Sequence, residues 1–330
     1  MKVSLIVTVK NEAISLPALL ASIAAQSRLP DEVVVCDGGS TDATLDILRA
    51  ETRFPLRIVE RPGANISQGR NAAIDAATGE IIASTDAGVT LDPNWLESLL
   101  SNFQRTPNTA VVAGFFLAAP QTAFEMAMGA TVLPERRDIR PETFLPSSRS
   151  IAFRKEAWRE VGGYPEWLDY CEDLIFDFAL REKHSQFAFA PEAIAYFRPR
   201  GSLRAFFKQY VLYARGDGKA NLWRKRHLIR YATYLVAAPG ILLLAARVSP
   251  WFLLLYVAGG AAYTRAPYRR LWPKLRGMSP LEKLKAVALV PIIRVVGDVA
   301  KMIGYPVGVV WRIRRWADAA RLYARCYARR

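Results

Sequence analysis

A carboxylate at the end of a short apolar run is the first residue in this sequence that asks for a chemical explanation. Asp86 closes the run from Glu80 to Thr85 and opens the stretch DAGVTLDP. A charge at the carboxyl end of a buried strand suits the holding of a cation and a phosphate, and a partner acid is then expected nearby. Two more acid-bearing clusters also end apolar runs: Lys10–Asn11–Glu12 after VSLIVTV, and Asp37–Gly38–Gly39–Ser40 after EVVVC. One such cluster would be no more than a polar turn; three point to a binding crevice. Farther along, Glu172 and Asp173 open the amphipathic stretch EDLIFDFALREK. Adjacent acids at a helix start are stabilised by its dipole.

The elements that must position these groups are legible from periodicity. Val3–Val9, Glu32–Cys36, Leu56–Glu60 and Glu80–Thr85 read as strands, with Thr109–Phe115, Ser150–Phe153 and Gln186–Ala190 after them. Between them, Ala13–Gln26, Asp42–Ala50 and Ser67–Ala77 repeat apolar residues at helical spacing. Asp42 is a candidate N-cap, and Pro93 is expected at the first position of a helix over Pro93–Phe103. Residues 116–165 are less regular, with a turn at Gly162–Pro165. Strands alternating with helices predict an α/β fold with a mostly parallel sheet covered on both faces. Ligands in such folds sit beyond the carboxyl ends of the strands, where the three clusters fall.

Charge divides the chain. Residues 1–200 carry a net −6, and residues 201–330 a net +21. A basic half points to a polyanion. This half is also apolar, with ILLLAA at Ile241–Ala246 and WFLLLYVA at Trp251–Ala258, which favours anionic lipid and argues against nucleic acid. Tyr231–Ala246 and Val248–Thr264 are uncharged runs of 16 and 17 residues, each a little short of the roughly 20 that a straight span wants. Together they predict a helical hairpin with Ser249–Pro250 in its turn, either spanning or re-entrant, and basic residues outside both ends keep those ends cytoplasmic. Leu203–Ala214 carries Phe206, Phe207, Tyr210 and Tyr213, either for a headgroup layer or for an ordinary core face. In Ala286–Trp311, Arg294, Asp298 and Lys301 share one helical face, which suits an interfacial helix better than a span. The tail Arg312–Arg330, with seven arginines, is expected against anionic headgroups.

Cys36, Cys171 and Cys326 are far apart and give no disulfide or zinc spacing. The first apolar run is short and broken by Ser4 and Thr8, unlike a secretory leader. These features predict a catalytic part on the cytoplasmic side of the cell membrane.

Taken in order, SLIVTVKNE (Ser4–Glu12), DEVVVCDGGSTDAT (Asp31–Thr44), GRNAAI (Gly69–Ile74), TDAGV (Thr85–Val89) and YCEDLIFDFALR (Tyr170–Arg181) resemble the family 2 glycosyltransferases. These are inverting enzymes of the GT-A fold, and the resemblance covers about residues 1–215. It implies a nucleotide-sugar donor. Asp37 matches the position that contacts the nucleobase, with Asn11 or Glu12 lining the same crevice. Arg70 and Asn71 match residues that contact the nucleotide. Asp86 matches the first acid of an Asp-x-Asp motif that serves the ribose and a Mg²⁺ or Mn²⁺ ion. The second acid of that motif, the usual direct metal ligand, is Gly88 here. Arg198 or Arg200, following the last strand, could partly replace the cation, since guanidinium groups hold phosphate oxygens bidentately. The same arginines could instead meet lipid headgroups. Asp173 matches the general base, and Glu172 would orient it or touch the acceptor.

Tyr213–Ala214–Arg215–Gly216 is similar to a stretch common after the catalytic domain in this family. The Gln-x-x-Arg-Trp motif of processive synthases is missing, so a single addition is expected. The resulting expectation is a GT-A domain over 1–202, an amphipathic interfacial helix region over 203–230 and a hydrophobic, basic, membrane-associated region over 231–330. The acceptor is expected to be lipid-linked or membrane-borne. The alternative is a non-catalytic membrane scaffold that binds sugar nucleotides, for which Gly88 is the best support.

Overall fold

The computed structural model describes residues 1–315. The chain forms two compact units. One comprises Met1–Ala119 and Glu135–Arg198; the other takes Pro120–Pro134 and the chain from Pro199 onward. One internal segment, residues 120–134, thus joins the second unit.

In the first unit the chain alternates β1 (Val3–Val9), α1 (Leu16–Ala24), β2 (Glu32–Asp37), α2 (Thr44–Arg49), β3 (Leu56–Glu60), α3 (Ile66–Ala76) and β4 (Ile81–Asp86). A short β5 (Val89–Leu91), α4 (Trp95–Arg105) and β6 (Val111–Ala118) follow. The next helix, α5 (Ala123–Val132), belongs to the second unit. The first unit resumes through β7 (Ile151–Arg154), α6 (Lys155–Glu160), α7 (Glu172–His184) and β8 (Ala188–Phe197). The sheet order is β3-β2-β1-β4-β7-β6-β8-β5.

The strands are apolar runs because both faces of the sheet are covered. Leu5, Val7, Val33 and Val35 pack on α1 and α4 residues such as Leu19, Trp95 and Leu99. Ile6, Val34, Ile82 and Phe153 face the opposite layer with Ala73, Ile74, Tyr164 and Phe176. The sheet is parallel from β3 to β4 and mixed beyond: β7 runs antiparallel to both β4 and β6, and β5 antiparallel to β8.

Three local expectations are corrected. Asp92 accepts the Asn94 amide on Oδ1 (3.1 Å), and this turn holds Pro93 outside a helix that begins at Trp95. Asp42 likewise precedes α2, accepting the Thr44 amide at 3.0 Å. The last strand runs on to Phe197, with a register shift opposite Ala113–Phe115 that hid its length from the sequence pattern.

In the second unit, α8 (Leu203–Lys219) and α12 (Pro280–Arg314) pack at very short range. A Cβ on Gly304 or Gly308 would stand 2.1 Å from the carbonyl oxygen of Val211 or Arg215, so only glycine admits this approach. Phe206 is fully buried, with the Tyr210 ring 4.4 Å away. The aromatic face of α8 is therefore a packing face, and of the two sequence readings the core face holds. Between α8 and α12, α9 (Arg224–Ala232) continues through a π turn into α10 (Ala238–Arg247), and a 3-10 turn over Pro250–Leu253 leads into α11 (Leu254–Leu271). This is the expected hairpin. Arg224–Arg247 is long and apolar enough to cross a membrane, and none of its most apolar window is buried.

The three charges of α12 share a face, but that face is turned inward. Arg230 donates to Asp298 at 2.7 Å, Tyr234 and Tyr263 also donate to Asp298, and Arg294 donates to the Tyr263 carbonyl at 3.2 Å. The outward face is instead an apolar stripe through Leu284, Ile292, Val295, Val299, Ile303, Val307 and Val310. The expected basic tail lies outside the described residues from position 316, as does Cys326.

Candidate active site

Strand register gathers the clusters along one edge. Thr8 of β1 pairs with Cys36 on one side and Asp86 on the other, and Val9 pairs with Asp37. Asp37 and Asp86 therefore end the two strands flanking β1, with Asn11 and Glu12 in the loop between them. This is where the strand order reverses, the usual ligand crevice of such sheets.

The Asp37 half of this edge is tightly stitched. Asp37 is buried and accepts the backbone amides of Gly39 (2.8 Å) and Ser40 (2.9 Å). Asn11 adopts the left-handed conformation (φ 57°), which Asn tolerates, donates its amide to Ser40 Oγ at 2.9 Å and accepts the Thr41 amide at 2.8 Å. Glu12 donates its amide to Thr44 Oγ1 (2.8 Å), and its carboxylate accepts the Ser15 hydroxyl.

The Asp86 half is organised by Arg70. α3 lies so close to β1 that a Cβ on Gly69 would be 3.0 Å from Thr8 Cγ2. Arg70 is thereby delivered into the interior, where its side chain is 3% exposed. Nη1 donates to Glu172 Oε1 at 2.6 Å and Nη2 to Asp86 Oδ1 at 2.9 Å. Burial works against the guanidinium charge, but Glu172 and then Asp86 more than offset it and raise its pKa. One buried cation so ties the end of β4 to the start of α7.

Asp173 stands beside Glu172 in the first turn of α7 and accepts the Leu174 amide at 2.9 Å. Burial and the neighbouring Glu172 push its carboxyl up to about 6, against the pull of Arg70. Asp177, one turn on and buried, is raised well above the usual carboxylate range by burial and by Asp173. A base titrating near 6 is ionised at neutral pH yet remains a useful proton acceptor.

Asn71 is fully engaged elsewhere. Its amide nitrogen donates to the Tyr164 carbonyl (2.9 Å) and Glu166 (3.0 Å), and its oxygen accepts from Trp158 (3.1 Å) and the Tyr164 amide (2.8 Å). It positions the loop before α7, and has no hydrogen-bonding capacity left for the nucleotide contact expected of it.

Sequence reasoning missed Arg149. Its Nε lies 3.2 Å from Asp86 Oδ2, and its guanidinium is 4.9 Å from the Phe197 ring centroid and 5.6 Å from that of Phe116. The only local signal was an arginine in the polar SSRS run just ahead of β7. Arg198 is exposed; one residue beyond the last β5–β8 pair, Val89 with Phe197, lie Gly88 on one strand and Arg198 on the other. Arg200 is exposed and lies in the second unit.

The donor set fits a divalent cation poorly. Such ions take several oxygen ligands, whereas Asp86 has one oxygen on Arg70 and the other on Arg149. Among the described residues no three His, Cys, Asp or Glu side chains converge on a common point.

Residues 4–160 match the family described as Glycosyl transferase family 2. The chain is 26% identical over 296 residues to succinoglycan biosynthesis protein ExoA of Rhizobium meliloti, covering 84% of this chain and 87% of that one. It is 25% identical over 250 residues to a pre-mycofactocin glycosyltransferase of Mycobacterium tuberculosis, covering 73% of this chain and 51%, about half, of that relative. Among solved structures, a mannosyltransferase from Pyrobaculum calidifontis in complex with GDP-Man and Mn²⁺ is similar over 91% of this chain and 87% of its own. Its TM-score is 0.63 at 19% identity, a likeness of fold.

Proposed function

Residues 4–160 place this chain among the family 2 glycosyltransferases, and on that premise we propose that it transfers a hexosyl group from a nucleotide sugar to a lipid-linked or membrane-borne acceptor, with inversion. The observation that carries this reading is the Arg70 guanidinium, holding Asp86 on one nitrogen and Glu172 on the other. It fixes the start of α7 through Glu172, and Asp173, a carboxylate with a raised pKa, is the next residue.

In this reading, Asp37, Asn11 and Glu12 line the nucleobase pocket and Asp86 meets the ribose. The acceptor hydroxyl gives its proton to the Asp173 carboxylate as its oxygen bonds to the anomeric carbon. The bond from that carbon to the phosphate oxygen breaks, and its electron pair leaves with the nucleoside diphosphate. Attack from the face opposite the diphosphate inverts the centre.

The apolar stripe of α12 and the exposed α10–α11 hairpin support a membrane-borne acceptor. A panel of UDP, GDP, dTDP and CDP sugars, incubated with the full chain and polyprenyl phosphate in bilayers, tests the reading. An organic-extractable product with inverted anomeric configuration is expected. A retained configuration, or label transferred only to water, sinks it.

A further inference from the structure

Gly88 leaves the diphosphate end of the site short of one acid, and Arg149 supplies what a cation would have brought there. We propose that Arg149 binds the donor diphosphate in place of a divalent ion, so that donor binding does not require metal; this rests on the nucleotide-sugar reading above.

Four observations carry it. Both oxygens of Asp86 are taken by guanidinium groups, Arg70 at 2.9 Å and Arg149 at 3.2 Å. The two arginines differ in access: the Arg70 side chain is 3% exposed and that of Arg149 is 24% exposed. Only Arg149 can therefore be reached by an anion arriving at the edge. The Phe116 and Phe197 rings flank its guanidinium at 5.6 and 4.9 Å, which orients a planar fork suited to two phosphate oxygens. Finally, Gly88 is exposed, and a Cβ there would meet nothing within 4 Å. The missing acid is a choice of residue type, since the space for a side chain exists.

The charges agree. Two acids and a divalent cation present no net charge to an incoming diphosphate, and neither does Asp86 with Arg149. Arg70 is matched by Glu172. As the anomeric carbon–oxygen bond breaks, charge develops on the departing diphosphate, and a guanidinium already in place stabilises it without reorganising.

The experiment is calorimetric titration of the full chain in detergent with UDP, GDP, dTDP and CDP and with the matching nucleosides, in EDTA and again in Mn²⁺. One diphosphate is expected to bind in EDTA, with its affinity changed less than about threefold by Mn²⁺. Arg149→Gln should weaken that diphosphate about 10- to 100-fold, the range for a hydrogen bond to a charged group, and leave the nucleoside unaffected. Gly88→Asp should create a metal site, so that Mn²⁺ tightens diphosphate binding at least tenfold. Wild-type binding abolished by EDTA overturns the proposal, as does undiminished diphosphate binding by a folded Arg149→Gln protein. Should Arg149→Gln fail to fold, a Gly88→Asp protein indifferent to Mn²⁺ overturns it. Binding by no diphosphate in either condition overturns the nucleotide-sugar reading itself.

Discussion

The two units treat charge and apolar surface in opposite ways. Among the described residues of the first unit, only Met1, Ile14 and Leu29 are exposed large apolar side chains; the others, from Leu228 to Ile313, lie in the second. The first unit turns polar loops to one edge of a dry sheet and buries the Arg70 cation with two acids to match it. The second turns Arg230, Arg294 and Asp298 inward and leaves valine, leucine and isoleucine outside. One rule explains both. Groups unlike the surrounding medium are hidden, and the first unit hides nearly all its large apolar side chains. The extensive exposed apolar surface of the second marks an interaction or membrane site, which supports lipid as its medium.

The contrast can be broken experimentally, beginning where the effect is largest. Asp173→Asn should reduce turnover about 100- to 10,000-fold, the usual contribution of a general base, with nucleoside diphosphate affinity unchanged; single-turnover kinetics beside calorimetry decide it. Arg70→Met leaves Glu172 buried without its cation and should cost about 3–5 kcal/mol, as breaking a buried pair does. Adding Glu172→Gln should recover part of that loss, read as the midpoint of thermal unfolding. A melting point unmoved by Arg70→Met would show that the pair contributes nothing to the first unit.

For the second unit, replacing Val295, Val299 and Ile303 together by Asn removes apolar area from the exposed face of α12. Each buried side chain of this kind is worth about 1.5–3 kcal/mol, so sedimentation with anionic vesicles should fall at least tenfold without a change in fold. Equal sedimentation would deny the stripe its role and remove the contrast between the units. The smallest effect concerns pH. Asp173 must be ionised to accept a proton, and its carboxyl is raised to about 6. The rate should therefore be full above that value and fall about tenfold per unit below it. Glu172→Gln removes a negative neighbour and should shift this limb toward lower pH; an unmoved limb would assign the titration to another group.

The sequence determined most of the edge that carries the proposed chemistry. β1, β2 and β4 are buried on both faces, so they must be continuous apolar runs, and the acids that end them are conspicuous: Asp37, Asp86 and the Asn11–Glu12 pair. Glu172 and Asp173 were legible because an amphipathic helix announces its own first turn. The hairpin, too, was written in two uncharged runs, since local composition sets how long an apolar helix can be.

Tertiary structure alone decided which of these groups meet. Nothing local distinguishes Arg149 from its polar neighbours; it reaches Asp86 because β7 inserts antiparallel next to β4, a pairing between distant segments. Asn71 sits beside Arg70 in one motif, yet helical geometry sends the two side chains to different partners, one to the loop before α7 and the other to two acids. Periodicity likewise put Arg294, Asp298 and Lys301 on one face of α12 but could not say whether that face looks in or out. The answer came from α8 and α12 packing glycine to backbone, because contact between helices distant in sequence, rather than the residues of one helix, fixes which side is hidden.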